Sequence, residues 1–138
     1  MRDTFGFRPH GEATVRGADG IVVVHSTGPW NVEHVRLGHE WISGEGAKFA
    51  GKPWVILGFI HGEGLHTPEG YEEQIRAIRL QLEMGRSGTA LIFDETPLKS
   101  FLQQMFKRMY AETDETVAFF DDEAAARAWL EERLRAAK

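Results

Sequence analysis

Trp54-Val55-Ile56-Leu57-Gly58-Phe59-Ile60 is a continuous apolar run of strand length. No polar residue alternates with the apolar ones, so the pattern predicts a strand buried on both faces. The residues immediately after it decide the fold class. His61-Gly62-Glu63-Gly64-Leu65-His66 reads as a loop, and Thr67-Pro68-Glu69 as a helix start. Thr67 can cap, Pro68 suits the first helical position, and Glu69 faces the positive end of the helix dipole. Tyr71, Ile75, Ile78 and Leu82 then recur at helical spacing. A buried strand leading into an amphipathic helix is one βα unit, and ligands or partners of α/β sheets are met at such junctions.

The rest of the chain repeats the unit. Upstream, Ala13–Arg16 and Ile21–Ser26 flank Gly17-Ala18-Asp19-Gly20, which predicts a hairpin turning at Asp-Gly. Gly28-Pro29-Trp30-Asn31 ends the second strand. Asn31 caps a helix bearing Val32, Val35, His39 and Ile42 on one face, with Gly44 and Gly46 weakening its later part. Downstream, Gly85-Arg86-Ser87-Gly88 is expected to be a turn before a strand over 89–94. Pro97 is expected to open a helix with the stripe Leu98, Phe101, Leu102, Met105, Phe106 and Met109. A last strand over 116–120 and a helix from Asp121 complete the chain, with Ala125, Ala128, Trp129 and Leu134 expected to face the sheet. Residues 1–10 read as a lead-in with Phe5 and Phe7 on one side, and 11–138 as one domain. The expected fold is α/β, a mixed, mostly parallel sheet of about five strands with four helices and right-handed crossovers.

With 138 residues, 42% hydrophobic and 27% charged, the chain has an ordinary globular composition. It has no cysteine, which removes disulfides, thiol nucleophiles and thiolate metal sites and fits a reducing compartment. Met1-Arg2-Asp3-Thr4-Phe5 lacks the apolar run of a signal peptide, and no apolar stretch approaches the roughly 18–20 residues of a membrane span. A cytoplasmic location is expected. The net charge of −5 argues against nucleic acid as the main partner.

Four segments together carry a family resemblance. They are Gly28-Pro29-Trp30-Asn31, Gly51-Lys52-Pro53-Trp54, Thr67-Pro68-Glu69-Gly70, and Phe119-Phe120-Asp121-Asp122-Glu123-Ala124 with Ala128-Trp129-Leu130. In order and spacing they resemble the SpoIIAA-like family of the STAS superfamily, the anti-sigma factor antagonist fold, over most of residues 10–134. The resemblance implies a β/α superhelical domain that docks on other proteins and does no chemistry. It implies a protein partner such as a kinase or an anti-sigma-like protein, with a hydroxyl at the start of the second helix phosphorylated to break the complex. Thr67 is the matching position. The regulated proteins carry Asp-Ser-Ser-Gly there, whereas this chain has His66-Thr67-Pro68-Glu69.

The expected interaction surface is therefore His61, Glu63, Leu65, His66, Thr67 and Glu69, with Thr67 either a phosphoacceptor or a plain helix cap. An alternative is a carrier for a small or lipid-like molecule in an apolar pocket between helices and sheet, lined by Trp30, Trp54, Phe101 and Met105. No catalytic residue, metal or cofactor is expected. His61 and His66 sit in a loop without a third ligand. His34 and His39 lie roughly 140° apart around a helix. Gly62-Glu63-Gly64 lacks the lysine and hydroxyl of a phosphate loop, and Asp94-Glu95 reads as helix-start charge before Pro97. An exposed sheet edge would permit a homodimer, and a monomer is equally compatible.

Overall fold

The computed structural model describes residues 12–94 and 96–137, so Phe5, Phe7 and Glu95 lie outside the described residues. Strands β1 (Glu12–Ala18) and β2 (Ile21–Trp30) form the hairpin, with Asp19 and Gly20 both at positive φ, 56° and 83°. Helix α1 (Val32–Ala47), β3 (Trp54–His66), α2 (Pro68–Leu82), β4 (Arg86–Phe93), α3 (Lys99–Ala111), β5 (Val117–Phe120) and α4 (Glu123–Ala137) come next in order. The sheet runs β1-β2-β3-β4-β5, so strand order equals chain order. β1 is antiparallel to β2, and every later pair is parallel.

The central strand is buried on both faces, and its alternate residues feed two cores. Val55 and Leu57 join Ile21, Ala90, Ala126 and Leu130 beneath α4. Ile60 joins Trp30, Val35, Ile78, Leu91, Leu102 and Phe106 beneath α1, α2 and α3. Three helices thus cover one face and α4 covers the other. On α4 the covered residues are Ala126 and Leu130, with Trp129 and Leu134 partly buried, while Ala125 and Ala128 are exposed. The expected face of this helix is therefore corrected by one position.

Three further expectations change. The segment 61–66 is not a loop. It continues β3, pairing His61 with Thr27, Gly62 with Gly28 and His66 with Trp30. Gly62 and Gly64 hold positive φ (70° and 62°), and the strand bulges between the Gly62–Gly28 and His66–Trp30 pairs, where the register shifts. Arg86 is not in a turn but begins β4, and it is buried. The stripe of α3 is covered only from Leu102 onward. Leu98 and Phe101 are 36% and 59% exposed.

Gly46 does more than weaken α1. A methyl built there would lie 2.5 Å from Cζ2 of Trp54, whose ring is fully buried. Gly46→Ala would gain about 1 kcal/mol of helix propensity. Overpacking against a ring that cannot retreat costs about 1–3 kcal/mol. The expected outcome is a net loss in urea unfolding, and a rise in stability would contradict this packing account.

Candidate functional site

The start of α2 is built as its residues predict. Thr67 caps α2, its hydroxyl accepting from Gly70 N–H at 3.0 Å, with Pro68 and Glu69 in the first turn. The Thr67 amide donates to the Trp30 carbonyl at 2.9 Å, which ties the helix start to the end of β2. Thr67, Pro68, Glu69 and Glu63 are exposed.

The six residues of the expected interaction surface do not share one face. The contacts of His61 and His66 lie on opposite faces of the sheet. His61 goes to the α4 side. Its Nδ1 lies 3.0 Å from Asp94 Oδ2 and its Nε2 lies 3.1 Å from His25 Nδ1. Asp94, read from sequence as helix-start charge, is thus a histidine partner. With Nδ1–H of His61 donating to Asp94, the Nε2 lone pair accepts from His25. His25 stacks on Phe59, ring centroids 4.4 Å apart, and burial together with the nearby His61 holds its pKa below the ordinary value. Such a relay can orient a base, and His25 is exposed. Among the described residues, no group of three or more metal-binding side chains is placed to hold an ion.

His66 and Leu65 turn inward instead. The His66 ring lies 4.9 Å from that of Trp30 and 5.7 Å from that of Phe106. Burial pushes the His66 pKa down to about 4. Here the helix-covered face contains a cavity of about 110 Å³. Its apolar wall includes Val24, Ile56, Leu91 and Phe106, and its polar wall Trp30, His66, Gln81 and Arg86. His34 and His39, placed off a shared face by sequence spacing, both line it. Of the four expected pocket residues Trp30 alone does so. Trp54 packs with Val22 and Ile56, Met105 lies against the neighbouring core, and Phe101 faces solvent.

The far end of the cavity is closed by a buried network that sequence reasoning missed. Arg86 Nε donates to Glu115 Oε2 at 2.6 Å, and both side chains are almost fully buried. The same guanidinium donates to Gln81 Oε1, Thr89 Oγ1 and Tyr110 Oη. Gln81 Nε2 donates in turn to His39 Nδ1 at 2.9 Å. This fits the neutral His39 ring, whose pKa is lowered by burial and then by Arg76. One charged pair therefore joins α1, α2, β4, α3 and the segment before β5.

Fold and site together define an α/β domain of SpoIIAA-like fold, with a cavity under its three-helix face and an exposed acidic edge where β3 meets α2. Among solved structures, the chain is similar to an uncharacterised protein of the DUF3478 family from Shewanella loihica PV-4, described as having a SpoIIAA-like fold. The TM-score is 0.55 at 13% identity, covering 88% of this chain and 94% of that one. No family model matches, and no curated protein matches. No helix among the described residues is long and apolar enough to cross a membrane.

Proposed function

We propose that the protein is a non-enzymatic, STAS-type interaction module that docks through the end of the sheet where β3 and β4 finish. The observation that carries this reading is Phe101. It is 59% exposed in the first turn of α3, with Leu98 beside it also exposed. Leu102, the next residue, lies against Gly64, which directly follows the exposed Glu63 in the chain. Interfaces are anchored by such aromatic residues inside a polar rim. Glu63 and Glu69 supply an acidic rim that suits a basic protein partner.

Thr67 lies in the same region. A phosphate on it would sit at a helix N-terminus, where backbone N–H groups tolerate it, and would add about two negative charges to the rim. The modification would therefore act on the partner rather than on the fold. A kinase and an anti-sigma-like protein are the partner classes this reading names, and it is compatible with a monomer or a homodimer.

The test is affinity capture from the native host, then titration of the captured partner against variants. Phe101→Ala is expected to weaken binding at least tenfold with an unchanged melting temperature, and Thr67→Glu to weaken it as much while also losing the cap's stability. Thr67→Ala should keep binding and lose about 1 kcal/mol of stability, the worth of a cap. Equal affinity for wild type and Phe101→Ala would refute the docking surface.

A further inference from the structure

We infer that the cavity beneath α1, α2 and α3 is a binding site for a small uncharged molecule with an apolar body and one polar oxygen. This goes beyond the docking reading and stands without it. Trp30 is 7% exposed and lines the cavity, and among the described residues its indole Nε1–H has no hydrogen-bond partner. His66, also in the wall, has a buried Nδ1 in the same condition. Their rings are adjacent, centroids 4.9 Å apart and planes tilted by 49°. Buried polar atoms are nearly always satisfied, so two neighbouring ones against one cavity point to an oxygen that belongs there. A hydroxyl can accept from Trp30 and donate to His66, and a carbonyl can accept from Trp30.

The rest of the wall sets the body of the guest. Gly58 leaves the middle of β3 without a side chain, where a methyl would come within 2.7 Å of Leu91. Val24, Ile56, Leu91 and Phe106 give part of the wall a hydrocarbon surface. A volume of about 110 Å³ is of the order of the roughly 150 Å³ engineered cavity that takes up benzene. The guest is uncharged because the one guanidinium in the wall is already matched by Glu115, and a second buried charge would lack a counter-ion.

The probes are phenol and benzene, titrated into the 15N-labelled full chain. The readouts are the Trp30 indole N–H resonance, assigned through Trp30→Phe, and, for affinities in every variant, the backbone amides of Gly58 and Leu91 in the cavity wall. Phenol is expected to give a saturable downfield shift of that resonance. Trp30→Phe should still bind benzene, while the phenol-to-benzene affinity ratio falls about tenfold. His66→Phe supplies the same comparison should the tryptophan variant not fold. The inference is overturned if neither probe moves the resonance, or if both variants leave the ratio unchanged. It is equally overturned if water contacts to the indole N–H persist at saturating phenol, which would make the cavity a hydration site.

Discussion

Replacing Arg86 by methionine is expected to cost about 3–5 kcal/mol of folding stability, the usual penalty for breaking a buried ion pair from one side. The reason lies in what would be left behind. Glu115 is 1% exposed at its side chain and would keep a charge with no cation against it. Its Oε1 already lacks a hydrogen-bond partner among the described residues. Gln81 and Tyr110 would each lose a partner. Thr89 would retain its donation to Glu115 Oε2. The double variant Arg86→Met with Glu115→Leu removes both charges and should be more stable than Arg86→Met alone, because apolar replacement of a whole buried pair is often near neutral. Urea unfolding of the three proteins decides. A single variant within about 1 kcal/mol of wild type would show that the pair does not brace the fold.

Acid should weaken the protein through His66. Its pKa is about 4 in the folded state and about 6.5 unfolded. Above pH 6.5 the ring is neutral in both states. Between pH 6.5 and 4 the unfolded chain takes up a proton that the folded one excludes, so stability falls as pH falls through that window. The full loss below pH 4 reaches about 3 kcal/mol. His66→Phe removes the titration, and its stability curve should be flatter than that of wild type across the same window. Parallel curves from pH 7 to 4 would mean that His66 titrates normally. Guest binding through His66 Nδ1 should hold across that window and weaken only near pH 4, where the folded ring itself takes up a proton.

The alternation of strands and helices was legible because each signal is local. Asp19-Gly20 makes its own turn, Asn31 and Thr67 cap their own helices, and the run from Trp54 shows no polar residue. What sequence misread depends on distant partners. Arg86 looks like a turn residue until Glu115, 29 positions away, is brought to it. Gly46 looks like a helix defect until Trp54 is packed against it. The glycines at 62 and 64 give a turn signal, yet ladder pairing with β2 holds that stretch in the sheet. The candidate site was half legible. The exposed edge at Glu63, Thr67 and Glu69 was named, but the cavity required the tertiary meeting of Trp30 with His66. Exposure of Phe101 was hidden because its stripe continues that of Leu102 without a break.

Strand order equal to chain order has a consequence for biosynthesis. Each new strand joins the one made just before it, so no segment must thread between elements already in place. The hairpin can form on the ribosome, β3 can add to it, and each helix can close over the strand that precedes it. Arg86 breaks this sequence. Its strand emerges well before Glu115, and until residue 115 has left the exit tunnel the guanidinium has no carboxylate. The segment that carries Glu115 therefore acts as a latch, and the three-helix face is braced only once that carboxylate has reached Arg86.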